Sequence, residues 1–170
     1  MFQTGDTVVY ATHGVGVVRD TGERTVLGEA REMIEVELAS RDMNVVVPLE
    51  QALATGLRPA MTKQAAKAVM GVLTDPPEKI TGTWSQRLAK CQARLKTGDP
   101  LELAATVRDM TAVDRSGRIS YNEHALLGAS RANLVEELSV VFSEHRAVVD
   151  DRVESALDGT AAADRGKQAA

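Results

Sequence analysis

"GLRPAMT", residues 56–62, divides the 170-residue sequence into two textures. Before it, short runs rich in Val and Ile alternate with turns that carry Gly or charge: "DTVVY", "GVGVV", "EMIEVEL" and "MNVVVP". That texture belongs to β-strands. In "EMIEVEL" the residues Ile34, Val36 and Leu38 share one face while Glu35 and Glu37 share the other, as in a half-exposed strand. About five strands in so short a segment predict a small closed barrel. From Thr62 onward the chain turns rich in Ala, Leu and Lys, and "TDPPEKITGT" marks a break within this second half. The spacing predicts an α+β chain, with a small β-barrel followed by an all-α domain.

Three helix starts carry a capping box, in which a side-chain oxygen caps the helix and a Glu or Gln three positions on reaches back. They are Thr83-x-x-Gln86, Asp99-Pro100-x-Glu102 and Ser120-x-x-Glu123. Pro100 falls at a first helical position, where its missing N–H costs nothing, and Gly98 suits the end of the preceding helix. The last predicted helix repeats Leu127, Leu134, Leu138 and Val141, a stripe for packing on its neighbours. Past Leu157, "DGTAAADRGKQAA" lacks any large apolar residue and cannot offset the entropy of ordering. The organisation expected is thus a β domain over 1–60, a helical domain over 61–150 and a disordered tail over 151–170.

The net charge of −4 argues against indiscriminate polyanion binding, but the charge is unevenly spread. Residues 1–62 hold five basic residues against nine acids, giving −4, whereas residues 63–118 hold ten against six, giving +4. A single cysteine, Cys91, excludes an internal disulfide framework and a Cys-based zinc cluster and reads as a structural thiol. No apolar run approaches the roughly 20 residues of a membrane span, and "MFQTGDTVVY" lacks the pattern of a signal peptide. The expected location is the cytoplasm, with no membrane partner.

Catalytic motifs are lacking. Gly14-x-Gly16 has Arg19 where a dinucleotide fingerprint wants a third glycine, and the segment runs into a strand, so the glycines are read as shaping a turn. His13, His124 and His145 stand far apart, without a His-Glu-x-x-His pair or a Gly-x-Ser-x-Gly elbow. The expectation is a protein that is not an enzyme and takes neither cofactor nor metal.

Trp84, the sole tryptophan, stands where the helix capped by Thr83 begins. On that helix Leu88, Cys91 and Leu95 form an apolar stripe, and Arg87, Lys90 and Arg94 a basic one about a quarter turn away. By angle Trp84 belongs with the apolar stripe, as a core residue would. Its first-turn position after "KITGT" favours exposure instead, because such a side chain projects beyond the helix end. An exposed ring beside cations and a helix N-terminus suits minor-groove binding, with cations on phosphates and a wedge at a base step. Periodicity leaves the two readings even.

The stretches "GDTVVYATHGVGVV", "VLGEAREMIEVEL", "DMNVVVPLEQALATGLR", "TWSQRLAKCQARLKTGDPLELAATVRDM" and "ISYNEHALLGASRANLVEELS" keep an order and spacing in which the chain resembles the CarD/CdnL family of bacterial RNA-polymerase-binding transcription regulators, over about residues 2–145. The resemblance implies a Tudor-like (SH3-like) N-terminal domain, related to that of transcription-repair coupling factors. Such a domain docks on the RNA polymerase β subunit by extending a sheet across the interface. The docking strand would lie near Glu23, with Arg24, Thr25 and Val26 as contacts together with Val46.

For the helical domain the family implies contact with promoter DNA at the upstream edge of the melted bubble. Trp84 would be the minor-groove wedge, Arg87 would hold a neighbouring phosphate, and Lys90 and His124 would lie in the same contact. Binding polymerase and the bubble edge together stabilises the open complex without an active site. The chain departs from the family pattern at Ala11, where a proline is common, and at Val46, where some members are basic. Gln86, Ala89 and His124 also stand at positions that are basic in relatives. Removing one cation–phosphate pair lowers the salt slope of DNA affinity by about 0.9. DNA binding is therefore expected to be weak, largely sequence-independent and dependent on polymerase for proximity, with a monomer the simplest state. The alternative is a divergent polymerase- or protein-binding adaptor with weak or no DNA contact.

Overall fold

The structure, a computed structural model, describes residues 1–11 and 13–168, with residues 160–168 described through the backbone alone. The chain divides into two compact units, residues 1–60 and 61–170.

The first unit is a five-stranded antiparallel sheet of β1 (Thr7–Tyr10), β2 (Gly14–Val26), β3 (Glu29–Leu38), β4 (Met43–Pro48) and β5 (Leu57–Pro59), in the order β4-β3-β2-β1-β5. Its Tudor-like form follows from the alternation in the sequence. Ile34, Val36 and Leu38 are buried with Val8, Val18 and Leu57, while Glu35 and Glu37 stay half exposed on the other face. Helix α1 (Leu49–Ala54) packs on β3, β4 and β5.

Gly16 is needed for close approach and not for a turn, contrary to the sequence expectation. A Cβ there would stand 2.5 Å from Val36 Cγ1 and 2.9 Å from the Glu37 carbonyl, so only glycine lets β3 lie this close to β2 at this point. Past Arg19 the register shifts, and β2 continues beyond the end of β1, which pairs only with Gly14 to Val17. The far half of β2 and the start of β3 therefore run on as a two-stranded ribbon, closed by a turn at Leu27 and Gly28.

The second unit holds α2 (Lys63–Thr74), α3 (Trp84–Leu95), α4 (Pro100–Arg115), α5 (Tyr121–Phe142) and α6 (Arg146–Gln168). Leu73, Cys91, Met110, Leu134, Leu138 and Val153 lie among its core residues. Burial pushes the Cys91 thiol up, which keeps it protonated, as befits a structural cysteine. The boxes at Thr83 and Ser120 are both reciprocal. Asp99 caps its helix by accepting from the Leu101 N–H at 2.8 Å, but Glu102 turns away to Arg94.

The disordered tail expected over 151–170 is corrected for 151–168, which are helical. Val149, Val153 and Leu157 recur every fourth residue and are buried. Arg131 bonds Asp150 and Glu154, and Arg115 bonds Glu154 and Asp158. The Ala-rich continuation prolongs a helix already anchored by those contacts. Residues 169–170 lie outside the described residues. His145 is not within a helix but precedes α6, its Nδ1 accepting from the Ala147 N–H at 3.2 Å.

Candidate nucleic-acid and partner interface

Thr83 sets the position of Trp84. Its hydroxyl accepts from the Gln86 N–H at 3.4 Å and its own N–H donates to Gln86 Oε1 at 2.9 Å, so α3 starts sharply and Trp84 is its first residue. Trp84 is 49% exposed. Helical angle alone groups it with Leu88, Cys91 and Leu95. Of those, Cys91 is buried in the bundle and Leu88 and Leu95 are half-buried, whereas Trp84 in the first turn is exposed.

The basic stripe of α3 has a different fate from the one its spacing suggests. Arg87 is only 15% exposed and donates from Nε to Glu123 Oε1 at 2.7 Å and from Nη2 to Glu123 Oε2 at 3.0 Å. Its Nη1 reaches the Gly82 carbonyl at 3.1 Å and its Nη2 the Arg118 carbonyl at 3.2 Å. Four bonds leave little of this guanidinium for a phosphate, because a fork so occupied must first break protein bonds. Arg94 donates to Glu102 at 2.7 Å and to the fully buried Asp109 at 2.9 Å. Lys90 is exposed, with Nζ on the Thr81 carbonyl at 2.9 Å.

Glu123 is the partner that sequence reading missed. Legible in the sequence as a capping residue alone, it also receives Arg87, and its Oε2 still accepts the Ser120 N–H at 2.8 Å. Burial pushes this carboxyl up, but the bonds from Arg87 and Ser120 outweigh it and hold the group below the ordinary value of 4.5. One carboxylate thus closes the start of α5 and ties it to α3. His124, next along, is exposed and lies 3.6 Å from Asp114. Tyr121, also passed over, is exposed at the first position of α5.

In the β unit the ribbon carries Arg24, Thr25 and Val26, where β2 has a strand neighbour on one side only. Arg24 donates to Asp20 at 2.9 Å and stands 3.6 Å from Glu35, which pairs across the sheet with Val46 of the terminal strand β4. Arg24, Val26 and Val46 therefore share a face, while Thr25 alternates to the other. Among the described residues no group of three or more His, Cys, Asp or Glu could hold a metal, and no helix is long and apolar enough to cross a membrane.

The architecture is that of a two-unit chain, a Tudor-like β domain with a bare strand edge followed by a helical domain that displays a first-turn tryptophan. The CarD C-terminal domain model matches residues 68–154 and the CarD-like/TRCF RID domain model matches residues 2–61. The chain belongs to the CarD family. It is 28% identical over 141 residues to a Bacillus subtilis (strain 168) protein named "Putative transcription factor YdeB", an alignment covering 83% of this chain and 92% of that one.

Proposed function

We propose that the chain is a transcription regulator that docks on the RNA polymerase β subunit through its N-terminal domain and contacts promoter DNA at the upstream edge of the bubble through its helical domain. Family membership and the name of the Bacillus relative support the regulatory role. The observation that carries the DNA half is the half-exposed Trp84 at the tip of a capped helix. A flat apolar ring held there can enter a base step already loosened by melting. The polymerase half rests on the β2 ribbon, whose bare edge can accept a partner strand, with Arg24, Thr25, Val26 and Val46 as contacts.

The protein then works by binding alone, as a monomer that meets the nucleoid through polymerase. It stabilises the open complex because both contacts are satisfied there and not in the closed complex. With Arg87 and Arg94 bonded internally, the exposed Lys90 and His124 are left as the DNA contacts of the helical domain besides Trp84, so affinity for free duplex is low. The test is open-complex lifetime on a weak promoter with cognate polymerase. The protein lengthens it and Trp84→Ala shortens it again; no change on adding the wild-type protein refutes the reading.

The same internal bonding of Arg87 and Arg94 favours a second reading, an adaptor on polymerase without DNA contact. Under that reading Trp84→Ala keeps the full promoter effect.

A further inference from the structure

Arg87 lies one turn from Trp84 and carries the charge that a phosphate contact would need, yet its bonds point inward. Glu123, only 2% exposed, takes two of them, and the carbonyls of Gly82 and Arg118 take the others. Gly82 is two residues before Trp84. Arg118 and Ser120 border the start of α5, and the Ser120 N–H also ends on Glu123. A single guanidinium–carboxylate pair therefore ties together the loop entering α3, the first turn of α3 and the first turn of α5.

The chemistry of that pair is positional. A bidentate fork fixes direction as well as distance, unlike a single point charge. In the absence of the fork, the "TGT" segment before Trp84 would be held mainly by the Thr83–Gln86 box and by Lys90 on Thr81.

We propose that Glu123 is a positioning residue for Trp84, and that Arg87 acts through Glu123 to aim the indole at DNA instead of holding a phosphate itself. This rests on the reading of Trp84 as a DNA contact. It assigns Glu123 a role in transcription and reassigns Arg87 from the DNA to the protein.

Lysine at position 87 separates the two roles. Arg87→Lys keeps the positive charge and can still pair with Glu123, which protects folding, but it loses the fork. A phosphate contact would survive that change; a positioning fork would not. The experiment compares full-length wild type, Trp84→Ala, Arg87→Lys, Arg87→Gln and Glu123→Gln. Their open-complex lifetimes on one promoter are measured with polymerase over a range of KCl, alongside the anisotropy decay of the single tryptophan.

The expected result is that Arg87→Lys and Glu123→Gln both shorten the lifetime towards that of Trp84→Ala. The salt slope of the half-saturating protein concentration stays at the wild-type value, and the indole rotates faster in both variants. Wild-type lifetimes for Arg87→Lys and Glu123→Gln, with Trp84→Ala impaired, overturn the inference alone. So does a salt slope reduced by about 0.9 in an Arg87→Gln variant with unchanged indole motion, since that is the mark of one missing cation–phosphate pair. A Trp84→Ala variant as active as wild type overturns the DNA-contact reading and this inference with it.

Discussion

The Arg87 guanidinium closes on the Glu123 carboxylate through two parallel bonds, at 2.7 and 3.0 Å, from one helix's first turns to another's. Trp84, three residues before Arg87, takes no part in that closure and is half exposed. The two residues should therefore have opposite profiles. Arg87→Ala strands a buried carboxylate and is expected to cost the helical domain about 3 kcal/mol. Trp84→Ala, removing a ring that is not enclosed, is expected to cost about 1 kcal/mol or less, against the ~3–5 kcal/mol of a core tryptophan. Urea denaturation followed by helical circular dichroism decides the order, and a Trp84→Ala cost equal to that of Arg87→Ala would place the indole in the core.

Acid should dissolve the same pair. The Glu123 carboxyl is pushed up by burial but held below its ordinary 4.5 by Arg87 and Ser120. A depressed folded-state pKa means that the stabilisation is whole above about pH 4.5 and is lost as the pH falls through the lower folded value. Glu123→Gln is thus expected to be less stable than wild type near neutrality, with the gap closing on acidification below that range. Stability curves of the two proteins against pH test this, and a gap that persists unchanged into acid would mean that ionised Glu123 does not support the fold.

The tip of the β2–β3 ribbon carries an unfavourable residue. Leu27 adopts φ 52° and Gly28 φ 85°, the doubly positive pattern of a tight hairpin turn that favours Asn-Gly. A leucine in that conformation costs roughly 1 kcal/mol, and this one is fully exposed besides. Leu27→Asn should therefore raise the thermal stability of the β domain by about that amount. If the ribbon is the docking edge, the same change weakens binding to polymerase, because it removes the apolar tip. Equal polymerase affinity for the two proteins in a direct binding assay would exclude the tip from the interface.

Local patterns made much of the fold legible. The alternation through Ile34, Val36 and Leu38 identifies the core face of β3, and the boxes at Thr83 and Ser120 mark two helix starts, since each signal is spelled within a few residues. The functional surface was less legible because exposure and pairing depend on residues distant in sequence. Nothing near Arg87 announces that its partner lies at Glu123, 36 residues away. The spacing of Arg87, Lys90 and Arg94 gives a basic stripe, but only the folded chain reveals that both guanidiniums turn inward. Gly16 is a further case: its neighbour Val36 belongs to another strand, so a glycine needed for close approach looks like one needed for a turn.

The sequence is most misleading at α6, and the reason gives a sharp prediction. Composition after Leu157 argues for disorder, yet Leu157 itself is 1% exposed and its carbonyl accepts from Arg115 Nη1 at 3.1 Å. The helix is held by Val149, Val153 and Leu157 along one stripe and, along the adjacent stripe, by Arg115 and Arg131, which reach three carboxylates spaced four residues apart. Two independent kinds of contact make the docking specific, since apolar residues supply the burial and the ion pairs fix the register. Leu157→Ala is expected to cost about 3 kcal/mol, within the usual range for a buried leucine. Arg131→Ala is expected to cost less, because Asp150 and Glu154 remain partly open to water. Amide hydrogen exchange over residues 146–157 checks the register directly: protection there should fall in both variants, and an absence of protection in the wild-type protein would restore the disordered tail.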